Sequence, residues 1–245
     1  MSDKSLAVPL AETPVETPYP KPARPGRGEV IFCDFDGTVT LEDVVDKLLE
    51  LYADPRWKHI ETLWRQGRIG SEECLGLQLK CIGPIEEREL FRFAFGIGID
   101  PGFKDFIRTA KRSGTGIYIV SDGFDMFIKY ILLKSGISAV PVFANGLRVR
   151  HSRPVPSFPF RSDECRMRSG MCKCSIIAGL RGSNAVTYIG DGESDVCAVS
   201  RADTVFAKGR LSSYCLQKGI PFTGFSCFAD IKKILFKKEI KHAER

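Results

Sequence analysis

Residues Phe32 to Thr40 read FCDFDGTVT, and they follow directly on the apolar run Val30, Ile31, Phe32 and Cys33. The run has the length and composition of a buried strand. It ends in two aspartates one residue apart, Asp34 and Asp36, and then Gly37. Carboxylates at the mouth of a core are costly unless something compensates them. A cation, a phosphate held by that cation, or both would do so.

Two further strand ends carry polar punctuation. Ser121-Asp122-Gly123 follows Ile117-Tyr118-Ile119-Val120, and Gly190-Asp191-Gly192-Glu193-Ser194-Asp195 follows Val186-Thr187-Tyr188-Ile189. The surrounding pattern alternates. Helices are expected over 103–112, 124–134 and 194–200, and strands over 116–120, 140–143, 185–189 and 204–206. Alternation of this kind predicts an α/β fold with a parallel sheet covered on both faces. In such sheets reactive groups gather at the carboxyl ends of the strands, so adjacent strands would bring the three turns together.

Between the first two strands the period is helical. Val44, Val45, Leu48, Leu49 and Tyr52 share one helix face. Further helical stretches run from Trp57 to Arg65, Ser71 to Cys81 and Ile85 to Phe95. Residues 41–98 contain no strand pattern and read as an inserted helical cap; 29–40 and 99–245 form the core domain. Residues 1–28 hold six of the 14 prolines and no period, which reads as a disordered tail.

Hard oxygen donors from two strand ends suit Mg²⁺. Serine, threonine and glycine amides suit phosphate oxygens. Lys173, within Cys172-Lys173-Cys174, would supply a positive charge between the second and third turns.

DFDGT, Ser121, Lys173 and GDGESD, in that order, resemble the four motifs of the haloacid dehalogenase superfamily, specifically its phosphatases. The resemblance implies a Rossmann-like sheet and a phosphomonoester hydrolase working through a phosphoaspartate. It makes Asp34 the nucleophile and Asp36 the general acid and base. It gives Mg²⁺ to Asp34, the backbone carbonyl of Asp36 and Asp191, with Asp195 as a further ligand or as an anchor. Thr38, Ser121, Asp122, Gly123 and Lys173 fall on the phosphate side. A cap placed after the first motif implies a small phosphorylated metabolite as substrate.

Two branches are similar. Phosphoserine phosphatases carry an acidic residue after the first motif, which Asp43 matches, and an arginine in a cap helix. The stretch SEECLGLQLKCIGP offers only Lys80, a poor replacement for a bidentate arginine. The methionine-salvage phosphatase, acting on a methylthio-diketopentane enol phosphate, is resembled by CDFDGT, by Trp57 and by the cysteines around Lys173. This second branch is the expectation.

Other classes fit less well. A net charge of +6 suits handling of anions without indicating nucleic acid. Arg148, Arg150, Arg153, Arg161, Arg166 and Arg168, with Phe158 and Phe160, could bind nucleic acid. The preferred reading is a solvated excursion with Asn145-Gly146 as a hairpin turn. Cys165, Cys172 and Cys174 would need a fourth ligand to hold zinc, so reduced thiols are expected. With nine cysteines, no signal-like N-terminal stretch and no run of membrane-spanning length, the expected setting is the cytoplasm. Lys232, Lys233, Lys237, Lys238 and Lys241, interleaved with Ile231, Ile234, Leu235 and Phe236, predict a last amphipathic helix.

Overall fold

The computed structural model describes residues 28–165 and 167–237. The proline-rich tail 1–27, Arg166, and Lys238 and Lys241 of the last basic run lie outside the described residues. Strands β1 (Glu29–Cys33), β2 (Gly116–Phe124), β3 (Val142–Arg150), β4 (Arg153–Ser157), β5 (Ala185–Gly190), β6 (Thr204–Ala207) and β7 (Thr223–Gly224) form one sheet. Its order is β4-β3-β2-β1-β5-β6-β7. Every neighbouring pair is parallel except β3 and β4.

The apolar run of β1 is buried on both faces, as expected of a central parallel strand. Ile31 and Cys33 join the core on one side of the sheet, and Val30 and Phe32 the core on the other. Neighbours β2 and β5 flank β1, in register at Cys33↔Ile119 and Cys33↔Ile189. The three polar turns therefore meet at one edge, the juxtaposition expected from the alternating pattern.

Four helices lie between β1 and the next core helix: α1 (Val44–Tyr52), α2 (Trp57–Arg65), α3 (Ser71–Lys80) and α4 (Glu87–Gly96). Asp43 starts α1 by accepting from the Asp46 amide at 2.9 Å. Leu75, Leu79, Leu90 and Phe93 of these helices belong to the same continuous core as Ile31 and Phe127. Trp57 is buried in that core. The remaining helices are α5 (Phe103–Arg112), α6 (Asp125–Lys134), α7 (Lys173–Leu180), α8 (Val196–Val199), α9 (Gly209–Lys218) and α10 (Phe228–Leu235).

The structure corrects several local expectations. Strand β2 runs on through Ser121-Asp122-Gly123, with its pairing to β3 shifting between Ser121 and Phe124. Such an irregularity re-aims side chains at a strand end. Asn145 and Gly146 are not a turn. They lie inside β3, and the β3–β4 hairpin turns at His151 and Ser152, both with positive φ. The arginine-rich stretch comprises this hairpin and the segment that leads from it to α7. Arg148 pairs with Asp125, Arg153 donates to the Ile82 carbonyl, and Arg161 pairs with Glu72 and Asp163. The helix expected over 194–200 is a 3₁₀ turn (Glu193–Asp195) followed by α8. Helix α9 escaped the sequence reading because it buries just Leu211 and Cys215, too few for a visible period. Among the described residues, no helix is long and apolar enough to cross a membrane.

Candidate active site

Asp34 is the residue after β1, and its amide donates to the Ile189 carbonyl at 2.9 Å, as if the strand continued. The turn then needs Gly37, at φ +69°, where a Cβ would stand 2.6 Å from Asp191 Oδ2. Thr38 Oγ1 donates to Asp191 Oδ1 at 2.6 Å, so the first and last motifs are stitched together.

Lys173 opens α7 and is fully buried. Its Nζ donates to Asp34 Oδ1 at 2.6 Å, Asp195 Oδ1 at 2.5 Å and Ser194 Oγ at 3.1 Å. Asp195 also accepts from the Tyr188 hydroxyl (2.5 Å) and from the amides of Asp191 (2.9 Å) and Gly192 (3.0 Å). Both its oxygens are thereby engaged, and the Asp191-Gly192 loop is pinned.

Asp36 Oδ2 accepts from Ser121 Oγ at 3.2 Å, and Ser121 Oγ accepts from the Gly123 amide at 2.9 Å. A Cβ at position 123 would lie 2.0 Å from Asp36 Oδ2, so the approach demands glycine. Burial, and then Asp43, push the Asp36 carboxyl up to about 8, against the Ser121 and Val44 hydrogen bonds. Burial likewise raises Asp34 and Asp191, with Asp195 adding to both. Burial works against the Lys173 charge, but Asp195, Asp34 and Asp122 outweigh it and hold the ammonium well above the usual lysine range.

Two carboxylates, Asp34 and Asp195, thus pair with one buried lysine, and Asp36 and Asp191 lie close enough to act on Asp34. One oxygen from each of Asp34, Asp191 and Asp195 lies within 4.8 Å of the others. A hard all-oxygen donor set with surplus negative charge fits a divalent cation such as Mg²⁺. Among the described residues this is the one such cluster. The thiols make a different arrangement: Cys172 and Cys174 Sγ are 3.4 Å apart, Cys165 adjoins Cys172 and Cys197 adjoins Cys174.

A cavity of about 350 Å³ opens over these groups, lined by Asp34, Asp36, Asp122, Gly123 and Asp191 on the sheet side. Helices α1–α3 face it with Asp43, Val45, Asp46, Glu61, Trp64, Arg65, Ser71, Cys74, Leu75 and Gln78. Sequence reasoning found Asp43 here and missed the others. It looked for an arginine in α3, whereas Arg65 comes from the end of α2. Arg65 Nε is paired with Glu61 Oε1 at 2.9 Å, and Gln78 donates to Glu61 Oε2 at 3.0 Å. Trp64 lines the cavity, and Trp57 is buried in the core. Tyr188, Ser169 and Asn145 were also missed, because nothing local distinguishes them from core or loop residues. The Asp122 side chain, expected toward phosphate, is instead hydrogen-bonded to Ser169 and the Met171 amide.

A family model described as haloacid dehalogenase-like hydrolase matches residues 31–200. The chain is similar to the 2-hydroxy-3-keto-5-methylthiopentenyl-1-phosphate phosphatase of Geobacillus kaustophilus, 30% identical over 214 residues covering 86% of this chain and 97% of that protein. The protein of the same name from Brevibacillus brevis is 29% identical over 212 residues, covering 84% of this chain and 94% of its own. Among solved structures, a phospho-aspartyl intermediate analogue of phosphoserine phosphatase gives a TM-score of 0.64 at 19% identity, covering 84% of this chain and 98% of that one. A HAD family hydrolase from Salmonella enterica serovar Typhi gives 0.67 at 18%, covering 90% and 74%. At these identities the structural likeness speaks to the fold.

Proposed function

This chain belongs to the haloacid dehalogenase-like hydrolase family, and from that premise we propose that it is a Mg²⁺-dependent phosphatase of a small phosphorylated metabolite, the 2-hydroxy-3-keto-5-methylthiopentenyl phosphate of its relatives. The observation that carries the reading is the pairing of Asp34 with buried Lys173 while Asp36 is hydrogen-bonded to Ser121.

The steps follow from these residues. An Asp34 carboxylate oxygen attacks phosphorus, and the bond to the leaving oxygen breaks. Asp36, held protonated by its buried position, gives its proton to that oxygen. Asp36 then takes a proton from the water that attacks the phosphoaspartate, releasing phosphate and restoring Asp34. Lys173 neutralises Asp34 and the phosphoryl oxygens throughout. Asp34 and Asp191 would hold the Mg²⁺, with Asp195 orienting Lys173 and the Asp191 loop through its four hydrogen bonds. When bound, the ion supplies further charge neutralisation to carboxylates and phosphoryl group.

Helices α1–α4 act as the cap, excluding water from the site. Their cavity wall supports an uncharged tail. Val45, Trp64 and Leu75 offer apolar surface. The two arginines at the cavity, Arg65 and Arg210, are already paired with Glu61 and Glu193. A substrate carboxylate would meet Asp43 and Asp46 without a matching free arginine among the described residues. The reading places the enzyme in the cytoplasm, where its free cysteines stay reduced.

The test is phosphate release by purified protein with Mg²⁺ from the methylthiopentenyl phosphate and from L-phosphoserine in direct competition. We expect at least a tenfold higher kcat/KM for the former, about 1.4 kcal/mol of differential transition-state binding. Equal rates or a preference for phosphoserine would sink the substrate assignment.

A further inference from the structure

We propose that Asp122 is a positioning residue: its carboxylate tethers the segment leading into Lys173, and through it cap helix α3, to the turn after Ser121. The proposal rests on the phosphatase reading above.

Asp122 stands between Ser121 and Gly123, where a phosphate ligand was expected. A carboxylate there would repel a phosphate dianion, and its contacts point elsewhere. Its oxygens lie 2.9 and 3.1 Å from Ser169 Oγ, and Oδ1 accepts from the Met171 amide at 3.3 Å. Ser71 Oγ, the first residue of α3, lies 3.4 Å from Asp122 Oδ2 and 3.3 Å from Ser169 Oγ. The Asp122 backbone is held as well, its carbonyl accepting from Asn145 Nδ2 at 2.6 Å. Asn145 is fully buried in β3, so the tether is anchored in the sheet.

The far end of the tether meets the cap. The Glu72 amide donates to the Arg168 carbonyl at 3.4 Å. A Cβ at Gly70 would stand 2.6 Å from that carbonyl oxygen, so only glycine lets α3 sit this close. Residues 168–171 are therefore clamped between cap and sheet. Met171 is fully buried, and a single residue separates it from Lys173. One residue spans at most about 3.6 Å of chain, so displacement of Met171 is felt at the lysine that pairs with Asp34. Breaking such a buried network leaves polar groups unpaired.

Asparagine keeps the Oδ1 acceptor for Ser169 and Met171 and exchanges the charged Oδ2 for an amide that can donate to Ser71 Oγ; alanine loses every contact of the side chain. With p-nitrophenyl phosphate and saturating Mg²⁺, we expect Asp122→Ala to lower kcat at least tenfold with KM changed less than threefold. Asp122→Asn should recover most of that loss. Adding Ser169→Ala to Asp122→Ala should cost less than a further twofold, since both remove the same tether. Hydrogen exchange supplies a reading independent of activity: amides in 167–172 and 71–75 should exchange at least tenfold faster in Asp122→Ala and not in Asp122→Asn. If Asp122→Ala fails to fold, Ser169→Ala carries the same readings. An Asp122→Asn enzyme as impaired as the alanine variant, additive losses, or unchanged exchange would overturn the tether. Should the wild type hydrolyse no phosphoester, the functional reading falls, and the exchange data alone decide for or against the tether.

Discussion

Lys173 Nζ lies 2.6 Å from Asp34 Oδ1 in a slot that leaves the lysine no exposed surface. Its other carboxylate partner, Asp195, is also fully buried. Removing one partner of a buried pair strands the other, a loss of about 3–5 kcal/mol in comparable sites. Lys173→Met should therefore lower unfolding stability by an amount of that order and abolish turnover. Denaturant unfolding checks the first and a phosphate-release assay the second. Wild-type stability in the variant would mean that the pair is not formed in solution.

Asp34→Asn keeps the size of the nucleophile and removes its charge. Phosphatase activity should fall at least a hundredfold, the scale expected when a covalent nucleophile is lost, with circular dichroism unchanged. A variant that kept a tenth of wild-type turnover would rule out covalent catalysis by Asp34.

The proposed function puts a divalent cation among Asp34, Asp191 and Asp195. Exhaustive chelation with EDTA should abolish turnover, and Mg²⁺ should restore it. Ca²⁺ should inhibit, because its larger and looser coordination sphere misplaces the attacking carboxylate. Full activity after chelation would contradict the metal site.

Glu61 holds Arg65 by a 2.9 Å ion pair. Glu61→Gln removes the competing charge and leaves the guanidinium to a substrate carboxylate. The preference for the methylthiopentenyl phosphate over L-phosphoserine should narrow at least threefold, read as the ratio of kcat/KM values. An unchanged ratio would show that Arg65 does not reach the bound substrate.

Asp230 accepts from the amides of Ser226 and Cys227, both at 3.2 Å, at the start of α10. These bonds hold its carboxyl below the usual range. A depressed carboxyl stabilises the fold above its unfolded pKa, and the contribution is lost as pH falls through the folded value. Asp230→Ala should thus lower the denaturation midpoint at pH 7, and the gap to wild type should close toward pH 2. A gap independent of pH would assign the effect to packing.

Much of this was legible in the chain itself. The central strand, the polar turns at Asp34, Ser121 and Asp191, and the four helices after the first motif are read from local patterns of period and punctuation, while the place of Lys173 rests on the resemblance of the motif order. Such signals survive because β1 is buried on both faces and because turns at strand ends need particular residues. Each is a property of a few consecutive positions.

The remainder depends on residues far apart meeting in space. Asp122 pointed to phosphate by its neighbours; only folding brings Ser169 and Met171 to its carboxylate, 47 and 49 residues away. Asn145-Gly146 has the composition of a tight turn, yet pairing with β2 and β4 keeps it extended within β3. Arg65 at the end of α2 was passed over because its neighbours in the chain do not reveal that α2 and α3 converge on one cavity. Local propensity is decided by a residue and its near neighbours. The reach of a side chain is decided by packing, and packing exists only in the tertiary structure.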